Sequence, residues 1–520
     1  MPESRAARPW PTLFVTSVAL FMVMLDMTIV NVALPSIQRE LGAAISDLEW
    51  VVNGFTLALA SLILVGAKLG DRFGRRTFFL VGVVVFTLGS VACALSTSPT
   101  QLIASRVVQG IGGALMGPLS LSLIVAACPP RYLPTAIGIW AGVAAFGSAI
   151  GPLVGGYLVS WSTWAAVFWV NVPVGAALFV LTLLIVRESR DPTARAFDLS
   201  GTVLVTAGLC ALVWALVETT SHNWSDPEVE AGLAVGLALI ALFVVRELRT
   251  AEPMLPLPFF RVAAFTASNL VVAGVAFALT GAFYFMTLFF QNVQTYSAID
   301  AGIRTLPATV MIVVVAPLAG RLDARVGPRV VVAVGCAAAG SALLGLTGLR
   351  PTSEYGAMWP WLMLFGAGLG LTLPATAALA MSVGGHAKAG ISSGVLNTFR
   401  QVGGAFGLAI LGSVASTITR GQWNDFAATL GPALQASAVR LTPLVVGGQG
   451  ELISRYAMAS GASPLVAAGA RSQALLVFTN GASAALVAAA VSLFLAAAVA
   501  MVGLPRARVE HDEGAELAAA

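Results

Sequence analysis

Long apolar runs separated by short polar islands form the dominant pattern of this chain. Fourteen such runs stand near 12–34, 49–69, 77–97, 101–125, 135–160, 164–186, 199–217, 229–247, 266–290, 302–319, 329–349, 359–381, 393–416 and 475–502. Each approaches the roughly 20 apolar residues that a helix rising ~1.5 Å per residue needs to cross a bilayer. The pattern therefore predicts an all-α polytopic membrane protein. One polar segment, 417–474, is long, rich in Gly, Ala and Ser, and contains Trp423, Pro432, Pro443 and Pro464. It is expected to be an extracytoplasmic loop, holding either one or two short surface helices or no fixed structure.

Composition agrees with the pattern. Only 10% of the 520 residues are charged and 58% are hydrophobic, whereas a soluble domain carries about 25% charged residues. An even number of spans puts both termini on one side. With the termini inside, nineteen Lys and Arg fall in cytoplasmic segments and seven in outer ones, the bias that sets orientation. The net charge of +4 thus reports topology rather than a nucleic-acid partner. The basic start, Met1 to Pro11, precedes an apolar run too long for a signal-peptide core, so the first helix is expected to be retained. Twenty-six arginines against two lysines, with abundant Ala and Gly, fit a GC-rich bacterial genome. A bacterial plasma membrane follows as the expected location.

Cysteine and histidine argue against a cofactor site. Cys93, Cys128, Cys210 and Cys336 stand singly with no C-x-x-C, and His222, His386 and His511 lack metal-ligand spacing. No metal and no cofactor are expected, and no H-E-x-x-H or G-x-S-x-G in a strand-to-helix context points to an enzyme.

The second and third runs are joined by Gly66-Ala-Lys-Leu-Gly-Asp-Arg-Phe-Gly-Arg-Arg76, in which Gly66, Gly70, Asp71, Arg72, Gly74, Arg75 and Arg76 are the notable positions. Positive-inside decoration accounts for the arginines alone; the order of glycines, acid and bases suggests a built turn. Leu69-Gly-Asp-Arg-Phe-Gly-Arg-Arg76 recurs 253 residues later as Leu322-Asp-Ala-Arg-Val-Gly-Pro-Arg329, with its acid moved to Asp323. That offset is about eight spans, as two six-helix halves separated by an inserted pair would give. The expected division is an N-terminal six-helix bundle over 1–190, an inserted helix pair with linkers over 191–262, a C-terminal six-helix bundle over 263–504, and a cytoplasmic tail over 505–520.

Ionised residues inside spans are costly and need an interior reason. Asp26 lies nine residues before Pro35, about 13 Å along a helix. Arg106 sits at a similar depth in the fourth run. A permanent ion pair holding the bundle together and a reversible proton site are both open readings. Gly147, Gly151, Pro152, Gly155 and Gly156 in the fifth run permit close helix contact and a bend. Trp50, Asn53, Phe283, Gln291, Asn397 and Arg400 are candidates to line a substrate cavity. For Phe283 and its aromatic neighbours, lipid-facing or core packing is the alternative; for Arg400, snorkelling to lipid phosphates is.

The 66–76 turn resembles the loop between helices 2 and 3 of the major facilitator superfamily, where it latches the cytoplasmic helix ends. Gly147 to Gly156 resembles that superfamily's antiporter signature in helix 5. Leu25 to Pro35 resembles the first-helix signature of the fourteen-span drug:proton antiporters, and Arg106 with Gln109 and Gly110 matches the fourth-helix motif. Phe197 to Gly201 with Leu216 to Glu218 and Trp224 looks like the inserted pair. Gln291 to Tyr296, Ala301-Gly302 with Leu306-Pro307, and Gly394 to Gly404 resemble later family segments. Phe55 replaces a usual tyrosine, Arg131 is offset from the expected arginine, and no acid lies deep in the ninth or tenth run.

The resemblance implies a major facilitator fold that exports amphipathic drugs, antibiotics or toxic metabolites against protons by alternating access. It would work as a monomer, with Asp26 and Arg106 in proton coupling. A lipid, lipopeptide or metabolite exporter of the same fold is the principal alternative, and an uptake symporter a lesser one.

Overall fold

The computed structural model describes every residue except 1–8, 130–131, 191–198, 220–221, 223, 251–256, 383–384, 430–434, 436–437, 460–462 and 507–520. Arg5, Arg8, Arg131, Arg195, Phe197 and Asp198 lie outside the described residues. So does all of the tail beyond Arg506.

Each predicted apolar run falls in a helix. The first six are α1 (Pro9–Leu41), α2 (Ile45–Phe73), α3 (Arg75–Ala94), α4 (Pro99–Ala127), α5 (Leu133–Trp161) and α6 (Ala166–Ile185, with a break at Val170). Then come α7 (Leu199–Glu218) and α8 (Pro227–Arg249), followed by α9 (Ala263–Leu288), α10 (Ala298–Val326), α11 (Pro328–Leu346), α12 (Trp359–Ser382), α13 (Gly385–Ala428) and α14 (Pro464–Gly503). Twelve described helices are long and apolar enough to span a membrane, or thirteen counting α2. The fourteenth expected run lies in the 29-residue α5, several of whose side chains are outside the described residues. Local chemistry sets the starts: Ser98 and Ser463 cap α4 and α14, each followed by a proline at the first helical position.

The two halves repeat one packing scheme. In the first, α1 packs on α5 while α2 and α3 pack on α4; in the second, α9 packs on α13 while α10 and α11 pack on α12. Gly74 (φ 130°) and Gly327 (φ 83°) turn the chain between α2 and α3 and between α10 and α11. Both need a conformation that glycine adopts most readily, and they stand at the repeat offset. Glycine contacts fix the register more closely. A Cβ on Gly147 would strike the Phe21 carbonyl and one on Gly110 the Phe55 carbonyl; their counterparts are Gly403 on Ala273 and Gly366 on Ala308.

The halves meet along two seams, α2 on α13 and α5 on α10. Hydrogen bonds joining them gather toward the end away from the Gly66–Arg76 turn: Gln291 Nε2 to the Val32 carbonyl (2.9 Å) and the Ile299 N–H to Ser160 Oγ (3.2 Å). The inserted pair α7–α8 sits outside one seam. Leu209, Val213, Leu216 and Val217 of α7 bury themselves against Leu57 of α2 and Ala405 and Ala409 of α13.

The described residues of the 417–474 segment are largely helical. At 44 and 40 residues, α13 and α14 extend about 66 and 60 Å, against a hydrocarbon core of about 30 Å. Two short helices, Thr442–Val446 and Gly450–Ala459, fold beside them. Trp423 anchors this cap, buried among Ala438, Leu441, Val445 and Val477, with its indole N–H donating to the Ala438 carbonyl at 2.8 Å.

Candidate functional site

Asp26 is 0% and Arg106 1% exposed, so neither charge can be satisfied by water. Arg106 Nη1 lies 2.5 Å from Asp26 Oδ2 and 2.6 Å from Gln109 Oε1. Its Nε donates to the Val51 carbonyl of α2 at 3.0 Å. Asp26 Oδ1 accepts from Gln109 Nε2 and from Asn171 Nδ2, both at 2.8 Å. Both amides also donate to Ser90 Oγ, at 2.7 and 2.9 Å. The guanidinium stacks 4.3 Å from the Phe55 ring centre and 5.7 Å from that of Phe168. The departure at Phe55 thus supplies an aromatic face to the cation.

This network draws on α1, α2, α3, α4 and α6. Three N–H donors, one on Oδ2 and two on Oδ1, face the Asp26 carboxylate and tie it to the relative position of α1, α4 and α6. Sequence reasoning paired Asp26 with Arg106 but missed Asn171, Ser90 and the Val51 carbonyl. The available signal was an asparagine inside an otherwise apolar run.

The repeat register adds a comparison within the molecule. Carried along α9 and α12, it sets Ala278 opposite Asp26 and Leu362 opposite Arg106, both buried in the apolar core of the second half. The same helix packing is therefore built there without an ion pair.

At the 66–76 turn, Asp71 is bridged to Arg75 at 2.7 Å within the turn itself. A Cβ on Gly66 would meet the Ala114 carbonyl, and one on Gly70 the Leu119 side chain, so both let α2 lie close on α4. Arg72 lies 5.3 Å from the Phe73 ring, and Arg76 Nη2 donates to the Leu183 carbonyl at 2.7 Å. Glu188, just past α6, accepts from the Arg76 N–H (3.0 Å) and from the Thr77 N–H (3.1 Å) and hydroxyl (2.6 Å). Burial pushes the Glu188 carboxyl up, but these bonds together with that from the Ser189 N–H outweigh it and hold it below its usual range. In this conformation the described contacts of the turn stay within the first half.

The helix-5 glycines divide between two partners. Gly147, Gly151 and Gly155 press on Phe21, Thr28 and Ile29 of α1, whereas Gly156 presses on Ala298 and Ile299 of α10, and the Pro152 carbonyl faces Gly302 of α10. One face thus fixes α5 within its half, and the next residues form a seam between halves.

The six cavity candidates do not assemble. Trp50 packs with α7 and α13 beside the inserted pair. Phe283 lies in the second half's core, 6.5 Å from Phe365. Gln291, in a π-turn ending α9, is spent on the Val32 carbonyl. Asn397 accepts from Arg400 at 2.7 Å within α13. Asn53 is buried with neither amide atom hydrogen-bonded.

Two helical halves with repeated packing, meeting at paired seams beside a buried carboxylate, define a multi-span membrane transporter architecture. The chain belongs to the Major Facilitator Superfamily, whose family model matches residues 16–408. It is 38% identical over 501 residues to the tetracenomycin C resistance and export protein of Streptomyces glaucescens, covering 94% of this chain and 91% of that protein. It is 38% identical over 425 residues to the multidrug resistance protein Stp of Mycobacterium tuberculosis, covering 82% and 78%. With the cephamycin export protein CmcT of Amycolatopsis lactamdurans it shares 36% identity over 450 residues, covering 85% and 92%. The fold is similar to that of a bacterial homologue of the human lysosomal transporter Spinster, at a TM-score of 0.64 and 21% identity, covering 96% of this chain and 99% of that one.

Proposed function

We propose that this protein exports bulky amphipathic compounds, of the antibiotic or toxic-metabolite class, from a bacterial cell across its plasma membrane in exchange for protons. The observation that carries the reading is the buried Asp26, held by Arg106, Gln109 and Asn171 from two other helices. At the equivalent positions the second half carries Ala278 and Leu362. The names of the resistance and export relatives support the direction of transport, and the helix-5 glycines agree with it.

The distribution of arginines supports a cytoplasmic position for both termini and the 66–76 turn. With that orientation the end at which the seams close faces outward, as in an inward-facing state. In the cycle, cytoplasmic or membrane-borne substrate enters as Asp26 gives its proton to the cytoplasm and takes up the Arg106 contact. The halves rock to the outward state, substrate leaves, and reprotonation from outside favours return. One charge crossing ~100 mV contributes about 2.3 kcal/mol, worth roughly a fifty-fold gradient of a neutral substrate. The reading assigns the cycle to a monomer, with protons as the coupling ion and neither metal nor organic cofactor.

Proton movement in vesicles of purified protein, challenged with a panel of dyes and antibiotics, tests this directly. Substrate-triggered proton release in the parent and none in Asp26→Asn is expected. Equal flux in Asp26→Asn would remove Asp26 from the mechanism. Substrate movement without any proton flux in the parent would move the assignment to uncoupled lipid or metabolite export.

A further inference from the structure

The α2–α13 seam contains a carboxylate that none of the preceding chemistry uses. Glu49 is 0% exposed, and neither carboxylate oxygen has a hydrogen-bond partner. It stands four residues into α2, about 6 Å from the start of the helix at the closed end. Its carboxylate lies against Gly412 of α13, where an added Cβ would collide with it. Tyr284 of α9 is near enough to interact electrostatically with it, and the buried Tyr284 hydroxyl also lacks a hydrogen-bond partner. One turn further along α2 is Asn53, likewise buried and unpartnered.

The repeat makes this arrangement unusual for packing. In the register that relates α2 to α10, Glu49 corresponds to Gly302. In the register that relates α5 to α13, Gly156 corresponds to Gly412. On the second seam Gly302 and Gly156 let two backbones touch. On the first, one member of that pair is replaced by an ionisable side chain which gains no hydrogen bond in return. Close approach of the helices does not require it.

We infer that Glu49 is a second proton-binding site, and that the halves close over it at this end only when it carries a proton. An ionised carboxylate shut between helices with neither a cation nor a protein hydrogen-bond donor is strongly disfavoured, whereas the neutral acid is tolerated. Among the described residues no cation in the surroundings offers an alternative. Arg106 of α4 is committed to Asp26, and Arg39 of α1 donates to Ser36. Glu218 at the end of α7 is paired with His222 at 3.0 Å. Arg420 stands eight residues beyond Gly412 on α13, about 12 Å further along that helix. Opening the seam hydrates Glu49 and releases the proton to the side on which the seam opens. The site rests on alternating access of the two halves and not on Asp26 as the coupling group.

The ratio of closed to open seam should then rise as pH falls, by up to about tenfold per pH unit while one proton is linked to closure. Spin labels at the exposed positions Ala44 and Gly421, one on each side of the seam, report that ratio by pulsed dipolar spectroscopy. The background is Cys210→Ser, in lipid nanodiscs without substrate, between about pH 5 and pH 8. The parent and Asp26→Asn should both shift toward the short distance on acidification. Glu49→Gln, a permanently neutral mimic, should stay at the short distance with less than about a twofold change across the range. A parent distance that ignores pH overturns the proposal with no variant needed. So does a Glu49→Gln protein that titrates like the parent, or a response lost in Asp26→Asn and kept in Glu49→Gln. Loss of drug-triggered proton flux in Asp26→Asn alongside an intact seam response would separate this site from the export mechanism.

Discussion

Replacing Arg106 and Asp26 by the residues that the second half carries at the equivalent positions separates charge from packing. Arg106→Leu alone strands a carboxylate that is 0% exposed. It keeps its Gln109 and Asn171 donors but loses the cation 2.5 Å away. Breaking a buried pair from one side typically costs about 3–5 kcal/mol. Loss of the guanidinium from the Phe55 face, 4.3 Å away, adds a further cost on the order of 1 kcal/mol. Asp26→Ala alone strands the cation in the same way.

The double variant removes both charges and leaves Gln109 and Asn171 donating to Ser90. Apolar replacement of a whole buried pair is often neutral or stabilising, so the double variant should lie within about 2 kcal/mol of the parent, and the coupling energy should exceed about 2 kcal/mol. Equilibrium unfolding of the four proteins in mixed micelles at neutral pH measures it. Single-variant losses that add to within about 0.5 kcal/mol would refute the idea that the two charges form one unit. The double variant should also be folded yet show no substrate-triggered proton flux. Full transport by it would reduce the pair to a structural clamp.

Two further outcomes follow from named contacts. Gly156→Val should place methyl groups against the backbone of Ala298 and Ile299, holding the α5–α10 seam apart at an overpacking cost of about 1–3 kcal/mol. Labels at Tyr157 and Ile303 should report the longer distance, and an unchanged distance would mean the glycine is not needed for closure. Glu188 is held below its usual carboxyl range, so its contribution is present above about pH 4.3 and lost as pH falls through the depressed value. Amide exchange at Arg76 and Thr77, corrected for intrinsic rate, should accelerate in acid and in Glu188→Ala at neutral pH. Protection insensitive to both would show that the turn holds without it.

Much of this was legible in the chain because bilayer crossing is written in composition. Runs of about 20 apolar residues leave few alternatives to a helix. Asp26 and Arg106 stood out for the same reason, each being a charge where charges are expensive. Their partners did not, because Asn171 and Ser90 join Asp26 only through the rotational phases of separate helices, which no single-sequence pattern fixes. Glu49 was hidden by position: four residues into α2, after Ser46 and Asp47, it reads as part of a polar helix start. The 417–474 cap was obscured by its Ala, Gly and Pro content, although Trp423 was the one residue large enough to nucleate a small core.

A short run of contacts links the Asp26 site to the seams. Thr28, two residues beyond Asp26, meets Gly151 of α5; the next residue of α5, Pro152, presents its carbonyl to Gly302 of α10. A shift of α1 would therefore reach the α5–α10 seam through the short Thr28 side chain and the Ile29 backbone on Gly151 and then through the Pro152 carbonyl on Gly302. Close-packed interfaces of this kind switch between discrete arrangements rather than deform smoothly. The other seam is linked differently: α2 reaches Asp26 through the Val51 carbonyl and the Phe55 ring that hold Arg106, and α13 meets the neighbouring Met27 through Gln401 Nε2 at 3.6 Å. It also carries Glu49. The repeat thus supplies two equivalent seams, and sequence divergence sets close glycine contacts at Gly156 and Gly302 in one against a buried carboxylate, Glu49, in the other.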